Sequence, residues 1–272
     1  VKLFRLLLFP FSLLYGLITR LRNLAFDTGI LKSQSFDIST LVIGNLNTGG
    51  TGKTPHTEYF IRKFSHRKTG VISRGYGRRT KGFRLVEIND DPLLSGDEPL
   101  QIKRKFPEIP VAVCSDRVMA VPALLSLYPD LDLLIFDDAF QHRYLKAEKY
   151  VLLTAYGDLF THDRLLPSGN LREPASGYKR AHEIIITKCP EQVDEKERLR
   201  IFSEISPLPD QKIYFTRFVY GAPRTLTGRQ VEKEAVFGKR KLLVFSAIAH
   251  GDSWCDPFKE YFTERLPSIT FR

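Results

Sequence analysis

Cysteine is scarce in this sequence. The three residues, Cys114, Cys189 and Cys255, are scattered and odd in number. No two stand at a zinc-ligand spacing, so a structural zinc site and a disulfide framework are both excluded, and the chain suits a reducing compartment. Internal repeats and low-complexity tracts are absent. A membrane-spanning run is missing too. The most apolar stretch, residues 1–22, is interrupted by Arg5 and Pro10 and is shorter than the roughly 20 residues a spanning helix needs. No small-residue cleavage site follows it, which argues against a signal peptide. The first residue is Val1 rather than Met, so the natural start is expected to be missing or altered. Acid is in deficit: 31 Asp and Glu against 41 Lys and Arg leave a formal charge of +10. That excess points to a polyanionic partner, whether nucleic acid, an anionic membrane or phosphorylated substrates. For nucleic acid the charge stands alone, with no aromatic–basic module beside it.

What is present is a folded globular composition and, at 272 residues, enough chain for a sizeable core and two lobes. Its organising stretch is LVIGNLNTGGTGKT, residues 41–54. An apolar run (Leu41, Val42, Ile43) predicts a short buried strand. A glycine-rich turn follows, with Gly49, Gly50 and Gly52, then Lys53, Thr54 and a segment able to form a helix. Strand, glycine loop, Lys-Thr and helix is the P-loop arrangement. Its glycines let backbone N–H groups converge on a phosphate, and the helix N-terminus adds partial positive charge. The first glycine of the usual pattern is replaced by Asn47, a residue that tolerates left-handed backbone. Asn47, Thr48, Gly49, Gly50, Thr51, Gly52, Lys53 and Thr54 are the nucleotide-binding candidates. Lys53 would reach the outer phosphates and Thr54 would meet Mg²⁺.

Taken in order, residues 1–22 read as an interfacial anchor. Leu, Phe and Tyr would enter the acyl boundary while Lys2, Arg5, Arg20 and Arg22 meet anionic headgroups. The alternative is an ordinary core helix. Residues 56–64 continue the P-loop helix. Residues 69–73 predict a strand that ends in the basic glycine loop 74–79, RGYGRR. In SGDEP, residues 95–99, Asp97 is either a helix N-cap or a carboxylate acting as general base, with Glu98 beside it. Strand 110–114 and helix 115–127 precede LDLLIFDD, residues 131–138. An apolar strand ending in Asp137 and Asp138 is the Walker B pattern, whose acid faces Mg²⁺. His142 follows as a plausible site residue. Strand 150–154, the Pro- and Gly-rich loop 165–174 with Arg172 and Glu173, and strand 181–188 come next. At the last of these a GTPase would carry Asn-Lys-x-Asp. The sequence has TKCP, which argues for ATP. A charged helix over 191–205, a strand over 212–220, a strand over 241–249 and a helix over 256–265 complete the reading.

GNLNTGGTGKTP, SRGYGR, GDEP, FDDAFQHR, LLPSGNLREP and ITK, in this order and spacing, resemble the tetraacyldisaccharide 4′-kinases, the lipid A 4′-kinases. The resemblance covers nearly the whole chain. It implies an α/β fold: a P-loop NTPase-like α/β/α lobe with an N-terminal membrane-associated helix and a smaller C-terminal α/β lobe. The corresponding boundaries are 1–30, 31–209 and 210–272. It implies transfer of the ATP γ-phosphate to the 4′-hydroxyl of the lipid A disaccharide precursor, with ATP and Mg²⁺, at the cytoplasmic face of the bacterial inner membrane. By the same resemblance Lys53 and Thr54 hold phosphates and Mg²⁺, Asp137 and Asp138 form the metal-binding pair, and Asp97 is the base with Glu98 beside it. His142, Arg172 and Glu173 line the site. The family's C-terminal Asp-His-His segment, whose histidine partners the base, is expected beyond Arg272, and His250 does not take its place. No obligate protein partner is evident. The competing class is a nucleotide-dependent switch or delivery ATPase, which needs neither the anchor nor the Asp97 carboxylate.

Overall fold

The computed structural model describes residues 5, 7–219, 221–222, 224–225 and 227–232. The strand expected over 241–249, the helix expected over 256–265, Lys2, His250 and Cys255 lie outside the described residues. The chain divides into two compact units, Val1–Arg217 and Phe218–Arg272. Within the second, Arg224 and Gln230 form an antiparallel bridge closed by Thr225 N–H donating to the Arg229 carbonyl.

The first unit is built on one eight-stranded sheet. Its strands are β1 (Ser39–Asn45), β2 (Thr69–Ser73), β3 (Arg84–Leu85), β4 (Val111–Val113), β5 (Leu133–Asp137), β6 (Lys149–Ala155), β7 (Glu183–Thr187) and β8 (Lys212–Phe215). The spatial order is β3-β4-β2-β5-β1-β6-β7-β8. All pairs are parallel except β3 with β4. Parallel strands buried on both faces need apolar side chains at every position, which is why these segments read as unbroken apolar runs. Alternation divides them between two cores. Leu41, Ile43, Val71, Leu133, Ile135 and Val151 pack with Phe60 and Ile61 of α2 (Lys53–Lys63) and with Leu100 and Ile102 of α4 (Asp97–Lys105). Val42, Ile72, Leu134, Phe136 and Leu152 pack with Ala120, Val121 and Leu124 of α5 (Arg117–Leu127) and with Ile201 and Ile205 of α6 (Glu195–Ile205). The result is an α/β/α sandwich. From β1 the chain moves to β2 and the β3–β4 edge, returns through β5, then crosses to β6 on the far side of β1. The crevice outside the strand carboxyl ends at such a reversal is where open α/β sheets bind ligands.

Some boundaries differ from the sequence reading. Helix α5 starts at Arg117 because the Asp116 carboxylate accepts from the N–H groups of Val118 and Met119, at 3.0 and 3.3 Å. Asp194 caps α6 in the same way. The strand expected to reach residue 220 stops at Phe215. Its neighbour β7 ends at Thr187 and Lys188 turns into left-handed backbone, φ 57°, so the ladder closes with Cys189 N–H donating to the Thr216 carbonyl at 3.0 Å. Strand β3 and the single-turn helix α3 (Pro92–Ser95) were not foreseen, being too short to show a period.

Helix α1 (Phe9–Asp27) packs on the lobe behind it through one side only. Its buried positions are Ser12, Gly16 and Phe26, with Tyr15, Thr19 and Asn23 half-buried on the same side. Leu13, Leu14, Leu17, Ile18, Leu21 and Leu24 each stand more than half exposed. The apolar stripe therefore faces away from the protein. Among the described residues, no helix is long and apolar enough to cross a membrane.

Candidate active site

Polar residues cluster at the carboxyl ends of otherwise apolar strands. Asn45 closes β1, Ser73 β2, Asp137 β5 and Thr187 β7, and all are buried. A buried polar group needs a partner, so each of these positions is tied down by a specific hydrogen bond. Asn45 Nδ2 donates to the Gly49 carbonyl at 3.2 Å, bracing the glycine loop from inside. The Thr187 hydroxyl donates to the Thr51 carbonyl at 2.8 Å.

The loop turns into α2 at Gly52, whose φ of 83° is left-handed backbone that a side chain would strain. A Cβ placed on Gly49 or Gly50 would meet nothing within 4 Å, so space lies open over the loop. Lys53 Nζ lies 3.4 Å from Asn45 Oδ1 and 3.8 Å from Asp138 Oδ2. The half-buried Thr54 follows in the first turn of α2. Asn47, at the place of the missing glycine, is buried. Its Nδ2 donates to Asp163 at 3.1 Å, while its Oδ1 has no hydrogen-bond partner. The Thr51 hydroxyl is likewise buried and unpartnered.

The two acids of β5 have different surroundings. Asp137 is buried, accepting from the Thr57 hydroxyl at 2.9 Å and from the Ser73 hydroxyl at 3.3 Å. Burial, and then the adjacent Asp138 charge, push its carboxyl up from 3.8 to about 6. Asp138 leaves the strand in left-handed backbone, φ 47°. That turn swings its carboxylate out to Arg172, whose Nη1 donates to the two oxygens at 2.9 and 3.1 Å.

Arg172 and Glu173 come from the 163–173 loop, which lies against the P-loop. Thr48 N–H donates to the Asn170 carbonyl, and Arg172 N–H to the Leu46 carbonyl, both at 2.8 Å. Glu173 is buried and fully partnered, by Arg180 at 2.7 Å, Gln141 at 3.1 Å and Asn23 at 3.0 Å. Those bonds hold the strand-end loop together rather than present a carboxylate to a ligand. His142 Nε2 lies 3.9 Å from Asp116 and makes no hydrogen bond. Burial, with the positive charge of Arg117 next, lowers its pKa from 6.5 to about 4, so its ring is neutral.

Asp97 and Glu98 open α4 and are exposed. The N-cap alternative for Asp97 does not hold: Gly96, φ 90°, occupies the cap, and Asp97 is the first helical residue. A Cβ on Gly96 would lie 2.9 Å from the Tyr76 carbonyl oxygen and 3.1 Å from Gly75. The GDEP turn thus packs backbone to backbone on the basic glycine loop that follows β2. Glu58 fixes α4 from its other end, accepting from Gln101 at 3.0 Å and Lys105 at 2.7 Å. The structure therefore brings the P-loop, Asp137, Asp138 and Arg172 together directly, and sets Asp97 on the neighbouring β2 side. Sequence reasoning missed Asn45, Thr57, Ser73, Gln141 and Thr187. The available signal for the three strand-end residues among them was a single polar residue closing an apolar strand.

A family model described as tetraacyldisaccharide-1-P 4′-kinase matches residues 4–265. The tetraacyldisaccharide 4′-kinase of Flavobacterium johnsoniae is 43% identical over 278 residues, spanning 100% of this chain and 79% of its own length. That of Phocaeicola vulgatus is 41% identical over 270 residues, 97% of this chain and 73% of its own. The crystal structure of LpxK from Aquifex aeolicus in complex with ATP superposes with a TM-score of 0.78 at 27% identity, over 94% of this chain and 78% of that one. The P-loop, the strand-end acids and the sheet that carries them lie within the matched region, and the chain belongs to the tetraacyldisaccharide-1-P 4′-kinase family.

Proposed function

We propose that this protein transfers the γ-phosphoryl group of ATP to the 4′-hydroxyl of a tetraacyldisaccharide 1-phosphate, the kinase step of lipid A synthesis. The observation that carries the reading is the convergence of Lys53, Asp138 and Arg172 over a glycine loop with open space above it. In the reaction a bond forms between the 4′-oxygen and the γ-phosphorus, the β–γ bridge breaks, and ADP leaves. Lys53 and the N-terminal amides of α2 bind the β- and γ-phosphates and offset their charge. Thr54, Asp137 and Asp138 are all oxygen donors, the ligand type that suits Mg²⁺. When bound, Mg²⁺ would supply positive charge that offsets the charge on the phosphoryl group being transferred. Asp97 takes the proton of the attacking hydroxyl, and Glu98 lies beside it in the same turn. Arg172 holds Asp138 in position, and Glu173 and His142 shape the wall behind it.

The stripe from Leu13 to Leu24 supports an interfacial role for α1 at an anionic bilayer, at the cytoplasmic face of the inner membrane. Arg20 is exposed near that stripe and is available to headgroups. Arg22 donates to the Gln141 carbonyl at 3.2 Å instead. Residues 1–30 then serve as the membrane-associated segment and 31–217 as the kinase domain, the boundary expected at 209 moving past β8, which completes the sheet, and 218–272 form the second unit. The test incubates the protein with γ-labelled ATP and a total lipid extract. Label in a glycolipid bears the reading out. Label released only as inorganic phosphate favours a switch or delivery ATPase.

A further inference from the structure

The inward side of α1 makes specific polar contacts that adhesion to a bilayer does not require. The Tyr15 hydroxyl donates to the Arg172 carbonyl at 2.6 Å. Arg172 is the residue whose N–H binds the Leu46 carbonyl beside the P-loop and whose guanidinium holds Asp138. Two turns further along, Asn23 Nδ2 donates to Glu173 Oε2 at 3.0 Å. The other Glu173 oxygen accepts from Gln141 and Arg180. Gly16 allows the approach: a Cβ there would lie 2.7 Å from Leu165 Cδ1. The Ser12 hydroxyl accepts from Ser168 N–H at 2.9 Å. One helix face thus reaches the two consecutive residues that fix the site's acids and their neighbours. Burial and the Glu173 charge raise the Tyr15 pKa, so its hydroxyl stays a donor.

We propose that α1 is a strut of the phosphoryl-transfer site, in which Tyr15 and Asn23 are positioning residues that hold Arg172 against Asp138 and Glu173 against Gln141. This rests on the kinase reading of Asp138 and Arg172. Without the Tyr15 hydroxyl, the 172–173 peptide loses the anchor on its carbonyl and can tilt. The guanidinium then no longer meets both Asp138 oxygens.

Tyr15→Phe keeps the ring and removes only the donor. In the intact protein it is expected to lower kcat about 10-fold, the effect of one lost bond to a half-buried acceptor. The KM for ATP and co-sedimentation with phosphatidylglycerol-containing vesicles should stay at wild-type values. Amide hydrogen exchange across 164–173 should accelerate. In an Arg172→Ala background, where Tyr15 has nothing left to position, the same substitution should cost nothing more. Should Tyr15→Phe not fold, Asn23→Ala carries the test through Glu173. Wild-type kcat and exchange in Tyr15→Phe, or an equal cost in both backgrounds, overturns the strut. Accelerated exchange with no glycolipid labelled by the wild-type protein overturns the kinase reading and leaves the strut standing.

Discussion

Lys53 has two distant partners, Asn45 at 3.4 Å and Asp138 at 3.8 Å, rather than one close one. Contacts of that kind add little to folding, within about 1 kcal/mol. Lys53→Ala is therefore expected to leave the melting temperature nearly unchanged while abolishing turnover, read by thermal melts beside the labelled-lipid assay. Asp97→Ala should lower kcat on the order of 10²–10⁴-fold with unchanged nucleotide affinity. Since Gly96 takes the cap, its effect on stability should be limited to the dipole contribution of one first-turn acid, about 0.3–1 kcal/mol. His142 makes a pH prediction. Its folded pKa of about 4 lies below the ordinary 6.5, so between those values the unfolded chain binds a proton that the folded chain does not. Stability is then lost as pH falls from 6.5 toward 4 and is fully present above 6.5. Asp137 acts in the opposite sense: its raised pKa makes the folded form the better proton binder between 3.8 and about 6, so stability from this group grows as pH falls. His142→Gln should therefore lose less stability than wild type between pH 7 and pH 5, measured by urea melts at both. The placement of Lys53 and of the Asp137–Asp138 pair beside the glycine loop was legible in the sequence from local motifs. The different surroundings of those two acids were not. They arise from one left-handed turn at Asp138 and from hydroxyls on Thr57 and Ser73, which come from distant segments.

The strands were legible because a parallel sheet demands apolar residues on both faces, and LVI, VAV, LLIF and III satisfy that demand in short stretches. Helix α1 was half legible. Its composition signalled an apolar element, but periodicity alone cannot say which side an apolar stripe faces. The decisive feature lay in the residues between the leucines: Ser12, Tyr15, Gly16, Thr19 and Asn23 recur every three or four positions and turn to the protein. Deleting residues 1–22 would therefore remove Ser12, Tyr15 and Gly16 from their contacts with the 163–173 loop along with the apolar stripe. A cleaner probe is Leu13→Gln, Leu17→Gln and Leu21→Gln together, all on the outward side. Vesicle co-sedimentation should drop while the circular dichroism melt is retained. Unchanged sedimentation would count against the interfacial role. Strand β1 carries its own prediction. A Cβ on Gly44 would lie 2.6 Å from Phe140 Cβ and 3.0 Å from its backbone nitrogen, with no flexible end to yield. Gly44→Ala should destabilise by about 1–3 kcal/mol, seen as a lower denaturant midpoint.

At the scale of the molecule, the sheet order explains why segments far apart in sequence converge. Reversal of the chain at β1 puts β5 on one side and β6 on the other, so the loops after β1 and β5 open into one crevice. The α/β/α layering was implied by the family resemblance, but the strand order was not legible, because nothing local to β5 records that it returns between β2 and β1. The 163–173 loop was visible as Pro- and Gly-rich sequence over 165–174, whereas its contacts with both the P-loop and α1 depend on that order. The outward stripe of α1 has a practical consequence. In plain aqueous buffer, leucine and isoleucine side chains from Leu13 to Leu24 face water on one ridge, and the cheapest way to hide them is against the same ridge of another molecule. The purified protein should be colloidally fragile, with light-scattering size rising with concentration. Added salt should worsen this, since it screens the net charge of +10 that keeps molecules apart. A mild nonionic detergent should reverse it by coating the ridge, at amounts that leave the melting temperature of the sheet untouched.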